Sequence, residues 1–154
     1  MAKFEQVDSR GAFKPEYQNL SVFQSDNSTV PELVAKTGRV SVGKGVYCDT
    51  YDFLGSKSVK DLGIIHIKQG AKTPRQLVLS GFATVEAHVQ GRATLAVEKP
   101  DGHTTRYRFR DGLAHEAVAV EIGDIMQWRA KTKSTCAEIC YPPYADGRYE
   151  NLPN

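Results

Sequence analysis

Between Arg39 and Tyr141 the chain is a succession of short runs in which apolar and polar residues alternate, and this constrains the fold more than any other feature. Ala83-Thr-Val-Glu-Ala-His-Val89 alternates without a break, and Ala93-Thr-Leu-Ala-Val-Glu98 and Thr104-Thr-Arg-Tyr-Arg-Phe-Arg110 repeat the pattern. Successive side chains of a strand point to opposite faces, so a period of two places every second residue on one face. Gln90-Gly91, Lys99-Pro100-Asp101-Gly102 and Asp111-Gly112 separate the runs with residues that favour turns. Ala117 to Arg129 combines both signals: an apolar strand, the Gly123-Asp124 turn and a second strand. Many short strands at about ten-residue spacing predict an all-β sandwich or barrel and rule down an α/β fold.

The ends of the chain read differently. Residues 1 to 27 are polar and lack periodicity, with Phe4, Phe13, Tyr17 and Phe23 spaced too irregularly for a helix face. Aromatics are costly to leave in water, so this arm is expected to pack on its own barrel or on a partner subunit. Ser28 to Gly38 has a cap candidate, Pro31 in the first turn, Glu32, a late Lys36 and a closing Gly, and predicts one short helix. Pro142-Pro143 ends the last strand, Ser134 to Tyr141, and residues 145 to 154 are expected to be irregular. The organisation is one structural domain: an arm and short helix over 1–38, and a barrel over 39–154.

Hydrophobic residues at 40% and charged residues at 25% are ordinary for a globular chain of 154 residues. The net charge of +2 is spread among interspersed acids and bases, which argues against nucleic acid as a partner. No apolar run approaches the ~20 residues of a membrane helix, and Glu5 and Asp8 fall where a signal peptide is apolar, so the expected location is cytoplasmic. Cys136 and Cys140 on one strand would lie roughly 13 Å apart, beyond disulfide reach.

From about Gly63 to Leu152 the sequence resembles a small single-domain cupin, a jelly-roll β-barrel. The likeness rests on Gly70-Ala-Lys-Thr-Pro74 before a strand, Gly91 after a strand, Gly123-Asp124, and Pro142-Pro143-Tyr144 at the end of the barrel. It implies an all-β, cupin-type jelly-roll β-barrel with one short N-terminal helix. It also implies a metal held by two His and a Glu before the first Gly and a His after the second. With Gly91 and Gly123 as anchors those positions carry Val78, Ser80, Thr84 and Ser134, with Glu138 in place of a motif Asn. Valine offers no donor and hydroxyls are poor ligands for transition metals, so no cofactor and no metal residue is assigned, although an atypical metal is kept open. Cupin-like barrels often pair through sheet faces or exchanged N-terminal strands, which implies a homodimer.

The resemblance also sets a register. Ligand positions look into the barrel, so Thr84, Glu86 and His88 point inward, as do Ser134, Cys136, Glu138 and Cys140, while Val85, Ala87 and Val89 face out. Glu86, His88 and Glu138 then form a candidate catalytic trio. Burial would raise the carboxyl pKa values, and neighbouring carboxylates would hold the imidazole protonated, an arrangement suited to acid/base chemistry. Arg75, Gln76, Ser80, Thr84, Trp128 and Ser134 are candidate ligand-binding residues around the same cavity. Two functions follow: a barrel that binds a small molecule such as a sugar or organic acid without a metal, or a metal-independent isomerase, epimerase, cyclase or lyase. A metal-dependent dioxygenase or isomerase with an atypical site ranks third.

Overall fold

The computed structural model describes residues 1–7 and 19–154, and among them every regular element is a strand. The strands are β1 (Lys3–Gln6), β2 (Leu20–Gln24), β3 (Glu32–Gly43), β4 (Val46–Phe53), β5 (Asp61–Ile67), β6 (Arg75–Val78) and β7 (Ala83–Gln90). They continue with β8 (Ala93–Glu98), β9 (Thr104–Phe109), β10 (Val118–Val120), β11 (Ile125–Ala130), β12 (Ser134–Tyr141) and β13 (Tyr149–Leu152). They form an eight-stranded sheet, β1-β2-β3-β4-β5-β12-β7-β10, and a five-stranded sheet, β13-β6-β11-β8-β9. After β5 each connection crosses from one sheet to the other, except for the β8–β9 hairpin, which is the winding of a jelly roll. Gly123-Asp124 therefore leads not into a hairpin but across the barrel, from β10 in one sheet to β11 in the other.

The alternation sorts the core into two layers. Inside the barrel, Ile65 and Ile67 of β5, Leu95 and Val97 of β8, Met126 and Trp128 of β11 and Cys136 of β12 pack together. Ala87, Ala137, Ile139, Leu62 and Ile64 occupy the opposite face of the large sheet, with Val85 and Val89 against them. That outer face is not left in water. The N-terminal strands curl over it, so Phe4, Phe23, Val34 and Phe53 cover it, and the Ala2 amide donates to the His88 carbonyl at 3.1 Å.

Two expectations about the ends are corrected. Among its described residues, 1–7 and 19–27, the arm does have regular structure, strands β1 and β2, and Phe4 and Phe23 pack on their own barrel, one of the two surfaces expected for them. Phe13 and Tyr17 lie outside the described residues. The helix expected over 28–38 is strand β3, paired with β2 on one side and β4 on the other. Helix propensity is worth at most ~0.7 kcal/mol per ordinary residue, and two ladders plus complete burial of Val34 outweigh it. Ser28, the supposed cap, instead closes a tight turn by accepting the Val30 amide at 3.0 Å. The tail is not irregular, because Tyr149–Leu152 returns as β13 along β6.

Candidate functional site

The interior of the barrel has a packed end and an open end. Phe109, Leu95 and Ile67 fill one end, the other holds a cavity of about 470 Å³, and Trp128 and Ile65 stand between the two. Beta-strand 12 runs from one to the other. Its inward residues are Ser134 and Cys136 at the packed end, then Glu138 and Cys140 on the cavity wall. Gly63 of β5 lies opposite Glu138, and a Cβ there would come 2.9 Å from Cys48 Sγ, so glycine keeps this wall open.

Glu86 and Glu138 meet directly across the β7–β12 ladder. Glu138 Oε1 accepts the Tyr149 hydroxyl at 2.9 Å and the Cys140 thiol at 3.6 Å, the role of a carboxylate. Glu86 is 1% exposed; its Oε1 accepts the Trp128 indole N–H at 3.1 Å, and its Oε2 has no conventional partner. Burial first, then the charge of Glu138 and a hydrogen bond to it, push the Glu86 carboxyl well above the usual range. Two facing carboxylates cannot both ionise cheaply in such a place. The pair keeps its proton on Glu86, whose buried Oε2 has no hydrogen-bond partner among the described residues.

Apolar residues, among them Val40, Val42, Leu62 and Ile65, make up much of the remaining lining, and its polar groups are acids, phenols, amides, hydroxyls and thiols. Asp61 is pushed up by burial, although its Oδ2 accepts the Tyr144 amide at 2.8 Å. Gln76, Asn151 and Asp146 complete the polar wall, and no Lys, Arg or His is among the described residues lining it. Burial raises the thiols of Cys48 and Cys140 and the Tyr149 phenol, so none of them is a ready nucleophile at neutral pH. All three cysteines are free.

The sequence-assigned residues divide accordingly. The cavity wall brings together Glu138, Trp128 and Gln76, and Glu86 lies buried just behind it, facing Glu138 and bonded to Trp128. His88 shares their barrel face but sits opposite Cys136 at the packed end, stacked on Phe109 at 5.4 Å, with Nε2 2.6 Å from the Gly91 carbonyl. Its expected protonation is reversed: burial lowers its pKa and outweighs the Gly91 contact, and neither glutamate touches it. Ser134 is also at that end, donating to the Thr132 carbonyl at 2.8 Å. Thr84 accepts from the buried Arg148 at 2.9 Å. Ser80 lies in a shallower hollow of about 310 Å³ beside Phe82 and Pro142. Arg75 is on the outer surface, paired with Glu98 at 3.1 Å. Tyr149 and Asn151 were not anticipated, because they belong to the strand that the double proline concealed.

The metal implied by the resemblance does not fit this chain. Val78 is core, Ser80 is exposed, Thr84 is engaged by Arg148, and Ser134 is tied to main-chain carbonyls. Among the described residues no group of three or more His, Cys, Asp or Glu is placed to hold an ion.

This architecture is the cupin jelly roll. No family model matches the sequence, and no curated protein does. Among solved structures it is similar to a mutant of the oxalate decarboxylase OxdC of Bacillus subtilis, with TM-score 0.61 and 14% identity over 75% of this chain and 30% of that chain. It is also similar to the capsular polysaccharide assembling protein CapF of Staphylococcus aureus, with TM-score 0.60 and 10% identity over 79% and 34% of the two chains. A recombinant oxalate oxidase in complex with glycolate gives TM-score 0.55 and 13% identity over 70% and 56%. The chain thus spans about a third of the first two proteins and just over half of the third. At such identities the likeness is one of fold.

Proposed function

We propose that this chain is a cupin-fold protein that binds a small organic molecule in the barrel cavity without a metal. The observation that carries this reading is the cavity of about 470 Å³ at one end of an otherwise packed barrel, with Glu138, Tyr149, Gln76 and Asn151 converging on it. A pocket of this size with a few aimed polar groups is the usual form of a small-molecule site. The oxalate in the names of two structural neighbours is a poor candidate here, because a dianion would face Asp61 and Glu138 with no cationic side chain among the described lining residues.

A ligand screen by thermal shift tests the proposal, with sugars, polyols, amines and organic acids. A ligand at about a hundred times its Kd adds ~2.7 kcal/mol of stability, a rise of roughly 5–10 °C for a chain of this size. Val40, 52% exposed at the cavity mouth, is replaced by tryptophan to plug the entrance. The shift is expected to vanish in Val40→Trp while the ligand-free Tm stays close to wild type. A shift that survives the plug, or no shift with any compound, overturns the reading.

One observation favours a second reading, acid/base catalysis. Glu86 keeps a proton beside an accepting carboxylate, which is the pairing a metal-independent isomerase or lyase needs. Turnover of a bound ligand, followed by NMR and abolished in Glu138→Gln with binding retained, would establish it.

A further inference from the structure

Resting on the cavity reading, we infer that the ligand is an organic cation carrying an ammonium group, seated on Glu138, and that binding expels the proton shared by Glu86 and Glu138. The first support is charge. The described cavity lining has three acids, Asp61, Glu138 and Asp146, and no base, together with Trp128, Tyr144 and Tyr149. Acids and aromatic faces together attract organic cations, and an acidic wall repels anions.

The second support is the Glu86 oxygen that lacks a conventional partner although the residue is 1% exposed. One carboxyl of the pair holds a proton when the cavity has no cation. An ammonium group donating to Glu138 supplies the positive charge that this proton now supplies. The exchange balances: the pair goes from one negative charge to two, the ligand brings one positive charge, and one proton leaves to solvent.

The other titratable groups facing the pair do not provide that compensation. Cys48 on β4 and Cys136 and Cys140 on β12 are held as neutral thiols by burial, and Tyr149 on β13 as a neutral phenol. Asp61 on β5 adds an acid, and Tyr144 and Asp146 lie at the rim. The nearby cation, Arg148, turns its guanidinium to the Pro142, Ala83 and Tyr141 carbonyls and to Thr84. It is spent on closing the loop after β12.

Size-matched probes test the inference: 1,4-diaminobutane, 1,4-butanediol and succinate in one set, benzylamine, benzyl alcohol and benzoate in another. Calorimetry is run near neutral pH in two amine-free buffers of different ionisation enthalpy. At least one amine is expected to bind about tenfold or more tightly than its alcohol and its acid, with close to one proton released. Glu86→Gln keeps an acceptor for Trp128 and a neutral side chain of nearly the same shape facing Glu138, so a merely structural role predicts unchanged binding. The inference predicts a loss of about tenfold or more and no proton release. Equal or tighter binding of an alcohol or acid, amine binding indifferent to Glu138→Gln, or amine binding without proton release overturns the inference. A neutral or anionic ligand blocked by Val40→Trp would sink the cation while sparing the cavity reading; no ligand of any class sinks both.

Discussion

Glu86 and His88 are two residues apart on β7, face the same way and are equally buried, at 1% exposure each, yet they occupy different chemical worlds. Glu86 lies behind the cavity wall, bonded to Trp128 and facing Glu138. His88 lies one step deeper, between Phe109 and the Gly91 turn. Burial drives both toward neutrality, the acid by raising its pKa and the base by lowering it. The acid keeps a proton that a ligand could displace, whereas the base has its Nε2 committed to the Gly91 carbonyl and its Nδ1 buried without a partner, away from the cavity lining. Facing inward is therefore not enough to make a site; depth along the barrel decides.

The packed end should carry most of the stability. Phe109 is 4% exposed and touches the rings of His88, His115 and Trp128. Phe109→Ala is expected to cost ~3–5 kcal/mol in urea unfolding, with ligand affinity of the folded fraction unchanged. A cost below ~1 kcal/mol would mean that this end is loosely filled and the contrast with the cavity is illusory.

His88→Ala comes next. It removes the contact with the Gly91 carbonyl and the stack on Phe109, for a loss of ~1–3 kcal/mol by denaturation. Gly91 has φ +90°, and a Cβ there would strike Ser134 and the Lys133 carbonyl, so the turn has little freedom to compensate. Cavity binding should stay within about twofold. A His88→Ala protein of full stability that no longer binds ligand would put His88 back with the glutamates.

The same contrast marks how far the sequence could be read. Strict alternation at 83–89 sorted these side chains onto two faces, and the resemblance set which face turns inward, because a one-residue slip would have put Val85, Ala87 and Val89 inside and the charges out. Strand signals also located most of the barrel. Depth was not legible, since Glu86 and His88 look alike in a period-two pattern and only the filling by Trp128 and Phe109 from other strands separates them. Nor were the covering strands. Lys3–Gln6 and Leu20–Gln24 are strands because a waiting apolar face accepts Phe4 and Phe23, a tertiary cause with a faint local signature. Beta-strand 13 was hidden for a related reason: Pro142-Pro143 does end β12, but the loop then crosses to the other sheet, where Tyr149 regains a partner.

At the open end the effect of Glu86 is smaller and depends on pH. Folded Glu86 binds its proton more tightly than an unfolded carboxyl of pKa about 4.3 does. Its contribution is therefore fully present below that value and is lost as pH rises through the folded pKa. Glu86→Gln cannot lose a proton, so its stability relative to wild type should increase with pH, by at most ~1.4 kcal/mol per pH unit inside that window. Urea curves from about pH 5 to pH 8 would reveal the trend. Parallel curves for the two proteins would mean that Glu86 is not holding a proton, and the difference from a solvated carboxylate would disappear.

The smallest effect belongs to the outer face, and its sign is opposite. Asp49 is also buried, which alone would raise its pKa, but the hydrogen bonds from Arg39 at 2.7 Å and from Lys36 outweigh burial and hold it low. A depressed carboxyl contributes stability above its unfolded value of about 3.9, and that stability is lost as pH falls through the folded pKa. Arg39 and Lys36 reach in from solvent, where salt screens them, and His66 Nε2 lies 3.3 Å from the second carboxyl oxygen. Asp49→Asn should lower Tm by no more than ~2 °C near neutral pH, and the difference should shrink in acid and in high salt. The two carboxyls thus run in opposite directions: wild type gains on Glu86→Gln as pH falls and gains on Asp49→Asn as pH rises. Opposed slopes would tie the behaviour of each acid to its partner, a carboxylate inside the barrel and a guanidinium outside. Slopes of the same sign would leave burial alone as the cause and remove the reason for treating the inner pair as a site.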